Sequence, residues 1–326
     1  MTTTSPTTRR SLLRLPEDWR ERIKDHYPTM ILIVLVVLAS LTTDSFLTQN
    51  NLTNLLSQLA VTGIIVLAEL IVVISGNIDI SVGSMLGLGS VFAAGLFDGS
   101  NVWLALLVAL AVGAGLGMVN GTLIAVRGID SFIVTLGMLA LARGLVYWYT
   151  HGSPLTPKDT SFSNPGTYLL GPIAVIALFW LAAGLIVMFL LRRTVFGRRV
   201  YAIGSSKQAA TSSGMPVKGT IFMVFVLSGA LCGLGGFLLA SRVGAGTPSA
   251  GTSYELDAIA AVVIGGARLT GGHGRVFGAV VGTFIFGVIT NLLALLNVST
   301  FLQDAFKGAL ILIALSIASG RRSENT

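Results

Sequence analysis

The sequence has 326 residues, of which 53% are hydrophobic and only 11% are charged, and it contains 39 glycines. The charged fraction is less than half of the ~25% that is usual in soluble domains, which is too little to cover a water-facing surface. The single cysteine, Cys232, excludes an intramolecular disulfide, and with only three histidines beside it we expect no metal site. We interpret the chain as a membrane protein.

The apolar residues form ten segments that are predicted to cross the membrane, since a spanning helix needs about 20 mostly apolar residues. They are residues 29–48, 52–74, 80–97, 102–126, 131–150, 171–191, 218–241, 255–267, 276–296 and 303–319. Several are short or interrupted by glycine, which requires that protein or a water-filled cavity covers their backbone. The predicted fold is an all-α membrane protein, a polytopic bundle of about ten transmembrane helices. It comprises a tail at 1–28, one transmembrane domain at 29–319 and a second tail at 320–326.

The positions of lysine and arginine predict the orientation of this bundle. If the N-terminal tail is inside, the 21 cations all fall in inner loops and tails except Arg143, Lys158, Arg242 and Lys307. Short loops that carry Lys and Arg stay in the cytoplasm, so both termini are predicted to be cytoplasmic. This topology also accounts for the net charge of +7, and we expect no nucleic-acid partner.

Glycines recur at every fourth residue in two of the spans, at Gly113, Gly117 and Gly121 and at Gly274, Gly278 and Gly282. Such spacing favours close packing of helix backbones over the alternative, a narrow pore lined with glycine. The segments 72–76 (VVISG) and 262–266 (VVIGG) also resemble each other, through internal duplication or through chance.

Two charged residues, Glu69 and Arg143, lie within apolar runs. Charge inside a span is costly and is usually paired or functional. We expect structural ion pairs or contacts with backbone groups, and a proton or substrate relay is the alternative.

Motifs for catalysis and nucleotide binding are missing from the sequence. The dipeptide Gly-Lys of a phosphate-binding loop occurs nowhere, and the patterns GxSxG, HExxH and CxxC are absent. No catalytic residue and no bound cofactor are therefore predicted. If ATP drives this protein, the nucleotide and its Mg²⁺ bind to another subunit.

Residues 192–217 combine basic, small and aromatic residues in the pattern Arg193-Thr194, Phe196-Gly197-Arg198, Tyr201-Ala202-Ile203-Gly204, Ala209-Ala210 and Ser213-Gly214. This pattern resembles the cytoplasmic coupling loop of permease subunits of monosaccharide ABC importers, the ribose, xylose, arabinose and galactose group. Three more segments are similar to the same family: 74–84 (ISGNIDISVGS), 131–146 (SFIVTLGMLALARGLV) and 254–278 (YELDAIAAVVIGGARLTGGHGRVFG). Together with residues 301–314, the resemblance runs from about Asn50 to Ala318.

The resemblance implies that the protein works in a complex whose subunits have different roles. A periplasmic binding protein would deliver a monosaccharide or a similar small polyol, and two permease copies would form the pathway as a homodimer in the bacterial inner membrane. A heterodimer with a paralogous permease is the alternative. A partner ATPase subunit with two nucleotide-binding cassettes would drive transport. The external loop 151–170 and the segment 242–254 are expected to contact the binding protein, because both are rich in turn-forming residues.

We expect residues 192–217, called the coupling loop below, to form one short amphipathic helix that docks on the ATPase. The expected coupling residues are Arg198, Arg199, Tyr201, Gly204, Lys207, Ala209, Ala210 and Gly214. The three cations would set the docking orientation, although any cytoplasmic loop collects such residues. At Gly204 we expect either a left-handed turn at the end of a helix or a close contact with the ATPase cleft that leaves no room for a branched side chain.

Six residues are candidates for the pathway or its gate: Asp79, Ser81, Glu69, Arg143, Glu255 and Asp257. Two other functions compete with the importer, namely a stand-alone secondary transporter of a small polar solute and an intramembrane enzyme. The scarcity of acidic residues within the spans disfavours the first, and the missing catalytic motifs disfavour the second.

Overall fold

The computed structural model describes residues 17–97, 99, 101–171, 173–299, 301–303, 305–309 and 312, with side chains from Tyr27 onward. The α-helices in this part are α1 (Glu17–Thr42), α2 (Gln49–Ile74), α3 (Val82–Gly95), α4 (Val102–Ala125), α5 (Ser131–Thr150), α6 (Asn164–Thr167), α7 (Val175–Arg193), α8 (Val195–Ser205), α9 (Lys207–Ser212), α10 (Val217–Val243), α11 (Tyr254–Ile264) and α12 (Val276–Leu295). A 3-10 turn (Thr160–Ser163) and two short strands, β1 (Leu169–Leu170) and β2 (Ile173–Ala174), complete it.

Six of these helices, α2, α4, α5, α7, α10 and α12, are long and apolar enough to cross a membrane. Each matches a predicted span, and the apolar part of α1 (Tyr27–Thr42) and the shorter helices α3 and α11 match three more. The first span was predicted to reach residue 48, but α1 ends at Thr42, because the chain turns at 43–48 before the cap of α2. The tenth predicted span, 303–319, lies mostly outside the described residues. The chain is a polytopic all-α membrane protein.

Side-chain caps explain where several of the long helices begin. Thr48 Oγ1 accepts a hydrogen bond from Asn51 N (3.4 Å), Asn101 Oδ1 accepts one from Trp103 N (2.9 Å), and Asp130 Oδ1 accepts one from Phe132 N (2.9 Å). Such caps satisfy N–H groups that have no partner within the helix.

Helices α2 and α3 form the centre of the bundle. Helix α2 packs against α10, α12, α11 and α7, and α3 packs against α10, α4 and α5. The residues of α3 from Val82 to Ala94 are almost all buried. A helix that is apolar all round lies either in a protein core, as α3 does, or in contact with lipid.

The glycine ladders pack helices together, as the spacing predicted. A Cβ built on Gly117 of α4 would overlap Phe225 O of α10, and one built on Gly229 of α10 would overlap Gly113 O of α4. In the second ladder, Gly278 of α12 lies against Gly265 at the end of α11. Backbones approach at these points to a distance that no side chain permits, so these glycines are packing residues and not the lining of a pore.

The two similar segments 72–76 and 262–266 end two helices at the same end of the bundle. Helix α2 ends at Ile74 and α11 at Ile264, and each is followed by a glycine with positive φ, Gly76 (80°) and Gly266 (89°). The two turns touch, because Gly272 N donates a 2.9 Å hydrogen bond to Ile74 O. We call this end of the bundle the coupling-loop end, because α8 and α9, which belong to the coupling loop, also lie there.

Helices α3 and α11 are short because non-helical chain precedes each of them inside the bundle. Residues 75–81 return from the coupling-loop end before α3 begins. Residues 244–253 run along α3 in the opposite direction to it: Gly246 lies against Val91, whereas Gly251 lies against Gly83. Helix α11 therefore begins deep in the bundle.

At the opposite end, the predicted external loop 151–170 meets the first residues of the other segment that was predicted to be external, 242–254. The later residues of that segment are not external, because they run into the bundle. Leu155 and Gly246 exchange two backbone hydrogen bonds of 2.9 Å. Ser241 Oγ donates to Phe162 O (2.7 Å) and accepts from Gly166 N (2.9 Å). Strands β1 and β2 form a small antiparallel ribbon beside them, which the sequence did not predict.

Candidate functional site

The coupling loop forms two helices rather than the single one predicted. Thr194 Oγ1 caps α8 by accepting from Gly197 N (3.3 Å), and Ser206 Oγ caps α9 by accepting from Ala209 N (3.2 Å). Ser206 has an extended backbone (φ −160°), which ends α8 at Ser205. The second serine cap is the signal in the sequence that separates the two helices.

The two helices expose one face and bury the other. Val200, Ile203 and Ala210 are buried against the bundle. Of the predicted coupling residues, Arg198, Lys207, Ala209 and Gly214 are exposed, while Arg199, Tyr201 and Gly204 are half-buried. The exposed set is free to meet another protein, and the remaining residues join the loop to the bundle.

Gly204 forms a close backbone contact between the coupling loop and the end of α2. A Cβ at this position would overlap Ile74 O and lie 2.5 Å from Gly272 N. From the other side, a Cβ on Gly76 would lie 3.5 Å from Gly204 Cα. This contact is with the chain's own α2 and the turn after α11, and Gly204 does not have the expected positive φ. Contact of Gly204 with the ATPase stays a prediction. The left-handed turn occurs instead at Gly214 (φ 72°), where a Cβ would meet nothing within 4 Å.

Tyr201 forms a second connection between the coupling loop and the turn after α11. Its hydroxyl donates a 2.7 Å hydrogen bond to Gly274 O. Burial raises the pKa of Tyr201, an effect that the nearby Arg192 and Arg275 partly offset. The hydroxyl therefore remains a hydrogen-bond donor at neutral pH.

A polar cavity of about 450 Å³ lies beside these contacts. It is bounded by the turn after α2, the connection between α4 and α5, and the junction of α8 and α9. Its polar lining includes Ser75, Asn77, Asp130, Ser131, Ser205 and Lys207. The end of α8 thus has open space on one side and backbone contacts on the other.

Three of the candidate pathway residues form a fully buried cluster. Ser81 donates from its N–H (2.9 Å) and its hydroxyl (2.5 Å) to Asp79 Oδ1, and Asp79 N donates to Glu69 Oε1 (3.4 Å). Asn120 of α4 joins them by donating from Nδ2 to Ser81 Oγ (3.1 Å). All four residues have no exposed surface. This cluster holds the extended segment 75–81 against α2 and α4, and it does not line an open space in this structure.

The other three candidates lie elsewhere. Arg143 Nη1 donates to Pro248 O (3.1 Å) and Ala250 O (2.8 Å), so the contact is with backbone groups, one of the two structural roles expected for it. Asp257 Oδ2 forms an ion pair with Lys307 Nζ at 3.2 Å. Glu255 lies against Gly83 of α3. The six predicted residues therefore fall into a buried cluster and a separate, half-buried group.

No group of three or more His, Cys, Asp or Glu side chains that could hold a metal ion occurs in the part of the chain that the structure describes. Asn120 was not predicted from the sequence. A lone asparagine in an apolar span is its only signal, because the partner Ser81 lies 39 positions away along the chain.

Residues 51–315 match the model of the family described as "Branched-chain amino acid transport system / permease component". Ribose import permease protein RbsC of Bacillus subtilis (strain 168) is 43% identical to this chain over 292 residues, covering 88% of the chain and 90% of that protein. RbsC of Escherichia coli (strain K12) is 37% identical over 295 residues, covering 88% and 91%. Xylose transport system permease protein XylH of the same strain is 37% identical over 359 residues, covering 90% and 91%. No solved structure matches the chain.

Proposed function

Because the chain belongs to this family of transport-system permease components, we propose that it translocates a monosaccharide or a similar small polyol into the cytoplasm as the membrane subunit of an ATP-driven importer. The observation that carries the sugar assignment is the identity of 37–43% to ribose and xylose permeases over almost 90% of the chain. The family description names branched-chain amino acids, but whole-length identity to sugar permeases is the more specific information. The chain is a multi-pass protein of the bacterial inner membrane.

The proposed topology has ten spans with both termini in the cytoplasm, a tail at 1–28, a transmembrane domain at 29–319 and a tail at 320–326. The contact of Leu155 with Gly246 supports it, because the predicted external loop 151–170 and the start of the segment 242–254 then share one end of the bundle. The coupling loop and the arginines at 268 and 275 lie at the other end, as the positive-inside rule requires.

In this proposal, the coupling loop docks on a partner ATPase that carries two nucleotide-binding cassettes and binds ATP and Mg²⁺. The exposed residues Arg198, Lys207 and Ala209 would contact that partner. Gly204 and Tyr201 would pass the movement of α8 to the turns after α2 and α11, since they form the contacts with those turns.

The external surface and the open sides of the bundle would bind two further partners. A periplasmic binding protein would dock on residues 151–170 and 242–254, and a second copy of the permease would complete the pathway as a homodimer. Cross-links from these segments to the binding protein should form in the substrate-loaded complex.

The direct test is uptake into proteoliposomes that contain the permease with the ATPase subunit encoded beside it and its loaded binding protein. We expect ATP-dependent uptake of labelled ribose or xylose and no uptake of leucine. A complex with the phosphate-binding lysine of the ATPase replaced is the control. Uptake driven by an ion gradient without ATP would instead identify a secondary transporter, and uptake of leucine alone would overturn the sugar assignment.

A further inference from the structure

Arg143 and Glu255 are half-buried charged residues that lie near the middle of the bundle. Arg143 is the thirteenth residue of α5, about 18 Å from the start of that helix at 1.5 Å per residue. Glu255 is the second residue of the eleven-residue α11, about 15 Å from the turn at which α11 ends beside α2. The hydrocarbon core of a bilayer is about 30 Å thick, so both residues lie near its midplane.

The two side chains approach the same face of α3. A Cβ on Gly87 would lie 3.5 Å from Arg143 Nη1, and Glu255 Oε2 lies against Gly83, one turn away along α3. Glu255 Oε2 is buried there and has no hydrogen-bond partner among the described residues. Arg143 uses Nη1 for two backbone carbonyls, which fixes the guanidinium in place.

The environment of these charges excludes lipid on their open side. Charged side chains within a membrane face the interior of a bundle or a water-filled cavity, because hydrocarbon cannot solvate them. Here both side chains are only partly buried, although Glu255 Oε2 itself is covered. On α5, the neighbouring Ala140 and Gly144 are exposed, and a Cβ on Gly144 would meet nothing within 4 Å. Space is therefore open beside the guanidinium.

We propose that the open side of Arg143 and Glu255, with Ala140 beside them, is a water-filled part of the translocation pathway that contacts a neutral polyhydroxylated solute. This inference rests on the proposed function and names the residues of its pathway. Glu255 accepts hydrogen bonds from hydroxyl groups of the solute and Arg143 donates to them, and their opposite charges leave the patch without a net charge that would retain an ion. Helices that begin inside a membrane protein, as α11 does beside Glu255, often mark the substrate pathway of transporters.

The first experiment measures water access and needs no transport. Cys232, the only cysteine of the chain, is buried, so the parent complex gives a low background with a charged methanethiosulfonate reagent. Ala140→Cys places a thiol beside Arg143. Leu185→Cys, in the middle of α7 with 51% of the leucine exposed, is the matched control for a lipid-facing site.

We expect Ala140→Cys in the assembled complex to react at least an order of magnitude faster than Leu185→Cys, because only a thiol in contact with water ionises and meets the reagent. Equal rates at the two positions, or no reaction at position 140, would overturn the proposal. Neither result would affect the measured ATP-dependent sugar uptake, which is a separate assay. Failure of the inference is therefore distinct from failure of the proposed function.

The second experiment tests contact with the solute. Glu255→Gln keeps a hydrogen-bond acceptor, and Glu255→Leu removes it at similar size. With saturating loaded binding protein, we expect maximal sugar uptake to fall about three- to tenfold in Glu255→Gln and further in Glu255→Leu, while the amount of assembled complex stays constant. Equal uptake by both variants would show that the carboxylate does not contact the solute. Loss of assembly in both variants would identify Glu255 as a purely structural residue and would also contradict the proposal.

Discussion

The backbone of Gly204 in α8 lies directly against the carbonyl oxygen of Ile74, the last residue of α2. The same oxygen accepts the 2.9 Å hydrogen bond from Gly272 N in the turn after α11. Three parts of the chain thus meet at one carbonyl group: the coupling loop and the ends of two spans. A movement of α8 cannot leave this junction unchanged, which is the physical basis for assigning it to energy coupling.

The hydroxyl of Tyr201 should contribute to that coupling. Tyr201→Phe removes the 2.7 Å hydrogen bond to Gly274 O and keeps the ring in place. Loss of one such bond costs about 1 kcal/mol, and more if the carbonyl stays buried without a partner. We expect the complex to assemble while stimulation of ATP hydrolysis by the loaded binding protein falls several-fold. Tyr168→Phe, at an exposed position on the opposite end, should behave like the parent.

The packing of α4 on α10 should depend on which glycine of α4 is changed. Gly117→Ala places a Cβ on Phe225 O, whereas a Cβ at Gly115 meets nothing within 4 Å. Overpacking typically costs about 1–3 kcal/mol, so we expect a lower Tm in detergent for Gly117→Ala. Gly115→Ala should leave Tm unchanged or raise it, since alanine favours a helix more than glycine does. Equal Tm values for the two variants would contradict the packing described here.

The external segments should come apart when Ser241 is changed. Ser241→Ala leaves Phe162 O and Gly166 N without their partner in a buried region, at a cost of about 1–3 kcal/mol for each group. Faster proteolysis within residues 151–170 is the expected result. Ser153→Ala, at an exposed position within the same loop, serves as the control. Parent-like proteolysis of Ser241→Ala would show that this hydroxyl does not hold the loop.

The long spans could be predicted from the sequence because their length and their caps are local properties. Helices α4 and α5 begin within a residue of the predicted position, directly after Asn101 and Asp130. The close approach at Gly113 and Gly117 was equally predictable, since the four-residue spacing of small residues has one common physical cause in membrane helices.

The site was less predictable, because its contacts join residues that are distant along the chain. Glu69 was identified by its charge, but its link through Asp79 and Ser81 to Asn120 depends on how segment 75–81 folds back along α2. Likewise, the turns at Gly76 and Gly271 resemble ordinary loop glycines, and only their packing against Gly204 reveals the junction. The non-helical path of residues 244–253 inside the bundle was not predictable from hydropathy, which depends only on local composition.

The measurement that tests the account most directly compares two alanine variants in reconstituted liposomes. Gly204→Ala places a Cβ on Ile74 O and Gly272 N, while Gly219, at the start of α10 on the same end of the bundle, has nothing within 4 Å of an added Cβ. Gly204→Val would extend the same series with a bulkier side chain. We predict that Gly204→Ala inserts and assembles but loses sugar uptake and stimulated ATP hydrolysis, whereas Gly219→Ala transports like the parent. Normal coupled transport by an assembled Gly204→Ala complex would contradict the account, because the junction at Ile74 would then carry no part of the movement.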